Sequence, residues 1–139
     1  MPKFSKRSLD NLNSAEDKLQ ILFKEVIKDY DCIVIYGHRT PEEQMELFQK
    51  GRKRIDGWWQ VVDKSKVVTN LDGSVKKSKH NYFPSKAVDV LPYPIDWNDI
   101  QRFKDLAKVV KQKAKELGIE VEWGGDWTSL KDYPHWQVK

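Results

Sequence analysis

Lys86-Ala87-Val88-Asp89-Val90-Leu91 reads as a β-strand, and Pro92 and Pro94 stop it. One residue is out of keeping. Asp89 interrupts the apolar pairs Ala87-Val88 and Val90-Leu91. Strand alternation sets it on the face opposite Val88 and Val90, or leaves it half buried. A buried carboxylate requires hydrogen bonds, a cation or a metal.

Beyond Pro94, Asp96 caps a long helix whose stripe is Ile100, Phe103, Ala107, Val110, Ala114 and Leu117, with Gly118 as its stop. Ile119–Trp123 alternates as a strand, Trp123-Gly124-Gly125-Asp126-Trp127 is a turn, and Pro134–Val138 is a last short strand. On the N-terminal side, residues 14–30 carry a helical stripe of Leu19, Leu22, Phe23, Val26, Ile27 and Tyr30 behind a Ser14-Ala15-Glu16-Asp17 cap. Residues 32–37 form a buried strand. Thr40-Pro41-Glu42-Glu43 then opens a second helix with Met45, Leu47 and Phe48, ended by Gly51. Residues 52–85 lack a helical pattern. They hold an expected hairpin of Val67-Val68-Thr69, a turn at Asp72-Gly73, and Val75. Short connections and this hairpin predict an α+β domain: a mainly antiparallel sheet with helices packed on it.

With 139 residues, no repeat and no linker, the chain is expected to be a single domain, 1–139. Its hydrophobic share of 39% is enough for a core. The single cysteine, Cys32, excludes an internal disulfide and a Cys-based metal site. No apolar run follows the basic N-terminus, so neither a secretory signal nor membrane insertion is expected. The net charge of +4 suits polyanions without choosing among nucleic acid, anionic lipid and wall polymer.

The chemistry lies in Ser78-Lys79-His80, Ala87-Val88-Asp89 and Asp132-Tyr133-Pro134-His135. Two imidazoles and a carboxylate are a ligand set for a catalytic zinc with an open position. Asp132, three residues before His135, stands where a general base is needed. An iron(II) site uses the same ligand types, but its His and Asp stand close in sequence, and eight residues separate His80 from Asp89. His38, beside Arg39, is expected near the site but not as a ligand.

These motifs, with Arg39-Thr40-x-x-x-Gln44, resemble the zinc peptidases of the D-alanyl-D-alanine carboxypeptidase superfamily. Within them the chain looks most like the phage L-alanyl-D-glutamate endopeptidases, single-domain endolysins that cut peptidoglycan stem peptides. The resemblance runs from about Ile33 to Val138, and Tyr93–Trp97 and Trp123–Trp127 share in it. It implies a hedgehog/D-Ala-D-Ala peptidase-like fold and zinc held by His80, Asp89 and His135. It implies Asp132 as acid/base, Arg39 on substrate and developing charge, and Gln44 and Ser78 as polar residues lining the site. The family's usual His-x6-Asp spacing is longer here by two residues; the insert is expected to loop out and leave Asp89 as the ligand, with Asp126 the fallback carboxylate if it does not and otherwise a substrate-binding residue.

The function this implies is zinc-dependent hydrolysis of the L-alanyl-D-glutamate bond in bacterial peptidoglycan. The expected protein is a monomer without a separate wall-binding domain or a nucleic-acid partner. It is expected to accumulate in the host cytoplasm until a separate pore-forming protein opens the membrane. Two alternatives share these features. One is a D,D- or L,D-carboxypeptidase on stem peptides. The other is a non-catalytic module that binds wall or nucleic acid through its six tryptophans.

Overall fold

The computed structural model describes residues 2–139. Its main sheet has four strands, β1 (Cys32–Tyr36), β4 (Ala87–Pro92), β5 (Val121–Trp123) and β6 (His135–Val138), in the order β1-β4-β6-β5. All three pairings are antiparallel. A separate ribbon pairs β2 (Arg52–Ile55) with β3 (Trp58–Val61). The helices are α1 (Lys6–Asn13), α2 (Asp17–Asp29), α3 (Pro41–Phe48) and α4 (Ile100–Leu117). The α+β, mainly antiparallel expectation holds. No described helix is long and apolar enough to cross a membrane.

β4 is buried along its whole length because it lies inside the sheet and is covered on both faces. Val88 and Val90 join one core with Leu22, Phe23 and Val26 of α2, Phe103, Leu106 and Val110 of α4, and Trp136 of β6. Trp136 stacks on Trp123 at 5.8 Å and meets the Phe23 ring edge-on at 6.3 Å. Truncating such a buried tryptophan costs about 3–5 kcal/mol. By alternation, Asp89 faces away from this core, and its register partners are Tyr36 and His135. A register irregularity between Val34 and Tyr36 sets Tyr36 opposite Asp89.

The structure corrects four local expectations. No strand forms at Val67–Val75, where Asp72 instead accepts the Ser74 and Lys76 amides in a local turn. The hairpin is the β2–β3 ribbon, and its two-residue loop, Asp56-Gly57, has φ of 50° and 82°. Positive φ at both positions suits the twist of a tight hairpin. Helix α1, not foreseen, is capped by the Ser5 side chain. α2 begins at Asp17 with Glu16 at its cap, and α4 is capped by Asp99, three residues later than Asp96. The Thr40/Glu43 capping box of α3 and the left-handed Gly118 after α4 are as expected.

Candidate metal and peptidase centre

His80 sits on a single 3-10 turn, Lys79–Asn81, between the long loop and β4. The Ser78 hydroxyl accepts the His80 amide, and Asn81 Oδ1 accepts the Ser78 amide. Asn81 donates to the Arg39 carbonyl at 2.8 Å, and the Arg39 amide donates to the His80 carbonyl at 2.8 Å. The turn is thereby tied to the exit of β1. The two additional residues between His80 and Asp89 leave both in the same site.

His135 opens β6 after a turn in which its amide donates to the Asp132 carbonyl at 3.1 Å. Asp132 itself donates its amide to the Gly124 carbonyl at 3.0 Å. A Cβ on Gly124 would run into the Asp132 carbonyl oxygen and come within 3.0 Å of His135 Cβ. Only glycine allows this approach.

His80, Asp89 and His135 are all buried, and one donor atom from each lies within 4.8 Å of the others. His80 Nε2 is 3.2 Å from His135 Nδ1, and these nitrogens are 3.3 and 3.6 Å from Asp89 Oδ1. The far nitrogens are both engaged. His80 Nδ1 donates to the Gly37 carbonyl at 2.8 Å, and His135 Nε2 donates to Gln137 Oε1 at 2.8 Å. In the neutral rings the inward nitrogens therefore carry lone pairs. Asp89 Oδ1 is buried there without a hydrogen-bond partner. Two lone pairs and a carboxylate oxygen converge on one point and repel one another unless a positive charge stands between them. This donor set fits a divalent cation that accepts imidazole and carboxylate.

Asp132 stands at the mouth of the centre, half-exposed, with Oδ2 3.7 Å from His135 Nδ1. Burial and the Asp89 carboxylate push its carboxyl up to about 6. Burial alone would raise Asp89 as well, but the His80 and His135 rings hold it well below the usual carboxylate range. Burial disfavours a charged His135, yet the Asp89 and Asp132 carboxylates outweigh it and raise its proton affinity.

Arg39 is buried on the cleft wall, with its two terminal nitrogens bonded and its Nε without a partner. Nη2 donates to Asp89 Oδ2 at 3.2 Å, Nη1 donates to Gln44 Oε1 at 2.8 Å, and the guanidinium lies over the Tyr36 ring. The centre opens into a cleft of about 410 Å³, with Tyr36, Trp97 and Trp127 on its walls and Lys50 at its rim.

Three expected site residues sit differently. Gln44 lies beneath the cleft, almost fully buried, with its amide donating to the Leu71 carbonyl at 2.9 Å. It props Arg39 and the 69–71 loop, with no face toward a substrate. Ser78 borders the cleft, but its hydroxyl is used in capping the His80 turn. Asp126 points to solvent and accepts from Lys111 at 2.8 Å, outside the cleft. His38 turns toward the Tyr82 carbonyl and the Phe83 ring. Sequence reading missed Tyr36, Trp127 and Gln137. Strand parity with Asp89 and His135 marks the first and last, and the turn after Gly124 marks Trp127.

A family profile described as phage L-alanyl-D-glutamate peptidase matches residues 1–138. The chain belongs to this family. Within the L-alanyl-D-glutamate peptidases, it is 30% identical over 142 residues to the enzyme of Escherichia phage T5, covering 99% of this chain and 89% of that one. Among solved structures, the Serratia marcescens L-Ala D-Glu endopeptidase ChiX superposes with a TM-score of 0.72 at 26% identity, over 99% of this chain and 90% of that chain. The vancomycin-resistance D,D-pentapeptidase VanY, solved in complex with Zn(II), shares the fold at a TM-score of 0.53 and 20% identity, over 87% of this chain and 68% of that one.

Proposed function

We propose that this protein is a zinc-dependent endopeptidase that hydrolyses the L-alanyl-D-glutamate bond of peptidoglycan stem peptides, as the lysis enzyme of a phage. The convergence of His80 Nε2, His135 Nδ1 and Asp89 Oδ1, with both outer imidazole nitrogens engaged, carries this reading. Membership of the L-alanyl-D-glutamate peptidase family supports the bond and the substrate. The sheet, its helices and the cleft act as one peptidase unit.

These three residues would hold zinc, which would supply a Lewis acid and lower the pKa of water from about 15.7 to roughly 7. Asp132, at the cleft mouth, accepts the proton of the attacking water and returns it to the leaving amine. A carboxylate suits both transfers, taking the proton as a base and returning it as an acid. Arg39 holds Asp89 in place from behind through Nη2. The Tyr36, Trp97 and Trp127 side chains narrow the cleft and limit water around the peptide. Lys50 at the rim offers a cation to the carboxylates of the stem peptide.

For delivery, the enzyme accumulates in the host cytoplasm until a separate pore-forming protein opens the membrane, and its basic surface then draws it to the wall. Mass spectrometry of digested peptidoglycan tests the reading. New N-terminal D-glutamate is expected. Release of D-alanine alone would make the protein a carboxypeptidase, and an intact wall after incubation with zinc-loaded protein would sink the proposal.

A further inference from the structure

The outer side of His135 leads into a chain of side chains, two of which, Gln137 and Glu122, lie outside the peptidase motifs. His135 Nε2 meets Gln137 Oε1 at 2.8 Å. Gln137 Nε2 donates to Glu122 Oε2 at 3.2 Å, across the β5–β6 pair in which Glu122 and Gln137 are register partners. The other oxygen, Glu122 Oε1, accepts the indole N–H of Trp127 at 2.9 Å. The Trp127 ring lies 5.0 Å from the His135 ring and lines the cleft. The chain thus returns to the site from its far side.

An amide can present either its oxygen or its nitrogen, and the histidine beside it then takes the matching tautomer. Gln137 alone leaves that choice open. A carboxylate accepts only, so Glu122 draws the NH2 end of Gln137 toward itself. The oxygen end is left for His135, whose proton must then sit on Nε2. The lone pair is thereby set on Nδ1, the nitrogen that faces His80 and Asp89. Trp127, a donor only, occupies the second oxygen and fixes the plane of the Glu122 carboxylate.

We propose that Glu122 is a positioning residue for the metal centre: through Gln137 it selects the His135 tautomer that turns Nδ1 inward. This rests on the zinc-site reading above. Partners of this kind change metal affinity by about 10–100-fold when removed.

The test uses zinc affinity, by competition with a chelating dye, and the ring-nitrogen chemical shifts of His135 in the metal-free protein at alkaline pH, where the ring is neutral. Wild type should bind zinc and carry its proton on Nε2. Gln137→Leu should weaken zinc about 10–100-fold. Glu122→Gln is nearly isosteric and keeps only one acceptor oxygen for two donors, so it should also weaken zinc, by a smaller factor. The exchange Glu122→Gln with Gln137→Glu restores the order. The carboxylate, moved to position 137, would accept from His135 and from the amide now at position 122, and the oxygen of that amide would accept from Trp127. Affinity and the Nε2–H tautomer should return. A role in holding β5 to β6 alone would instead appear as lowered melting temperature with zinc affinity intact. If both single variants bind zinc as wild type does, the proposal is overturned. If wild type binds none, the zinc-site reading itself has failed.

Discussion

Arg39 and Asp89 form a buried ion pair, Nη2 to Oδ2 at 3.2 Å, and Gln44 grips the other arm of the same guanidinium at 2.8 Å. The pair joins the exit of β1 to the middle of β4. Arg39 is therefore the counter-charge that holds Asp89 ready, and its two terminal nitrogens are engaged before any substrate arrives. Replacing it by methionine removes one partner of a buried ion pair, a change that costs about 3–5 kcal/mol. Urea denaturation of the metal-free protein should register this loss. Lysine should rescue little, because one ammonium cannot span Asp89 and Gln44. Wild-type stability in the methionine variant would refute the role.

Asp132 lies at the mouth with its carboxyl free of the donor cluster. Asp132→Asn should keep zinc affinity near wild type and lower the rate of stem-peptide cleavage by about 10²-fold or more. His80→Ala or His135→Ala should lose both. Elemental analysis beside a cleavage assay separates the two patterns. An Asp132→Asn enzyme that cuts at full rate would remove the residue from the reaction.

Protons and the cation compete for the same lone pairs, so zinc affinity should fall as pH drops below neutral. The metal-free protein should run the other way. Asp132, raised to about 6, and His135, also raised, both bind protons more tightly folded than unfolded. The stability each contributes is fully present below its unfolded pKa and is lost as pH rises through its folded value. Melting temperature of the metal-free protein should therefore decline from about pH 5 to pH 8, and zinc should abolish the decline. A metal-free melting temperature that rises across this window would contradict the arrangement of charges.

Gly124 tests how closely the Asp132–His135 turn is held. Gly124→Ala drives a methyl group into the Asp132 carbonyl oxygen and against His135 Cβ. Displacement by even 1 Å can cost about 10²-fold in rate. The variant should lose cleavage far more than helix content, measured by circular dichroism. Full activity would mean that the turn can shift without consequence.

Much of this was legible in the sequence. Helices α2, α3 and α4 announced themselves through apolar spacing and through Thr40, Glu43 and Gly118, which act locally. The cluster of His80, Asp89 and His135 was legible because an aspartate in an apolar strand demands a counter-charge. The hairpin was not, because two Asp-Gly pairs compete and β-branched residues favoured the wrong one. At Asp72-Gly73 the aspartate side chain captures nearby amides, whereas Asp56-Gly57 leaves its flanks free to pair. Gln44 and Asp126 have the right chemistry in the wrong place: one is drawn under the floor by Arg39 and Leu71, the other outward by Lys111. Glu122 and Gln137 belong to no motif. They become visible only once β5 and β6 are set in register.

The inward nitrogens of His80 and His135 come from positions 55 residues apart, yet lie 3.2 Å from each other. An ion seated between them would act as a cross-link as well as a reagent. Closing a loop of that length removes freedom from the unfolded chain worth about 4 kcal/mol on the chain-entropy estimate used for disulfides. A chain with one cysteine has no covalent way to obtain such a clasp. The same ion that readies the enzyme would then fasten its last strand, β6, to the body of the fold. Stripping the metal would loosen the β6–β5 end of the sheet first.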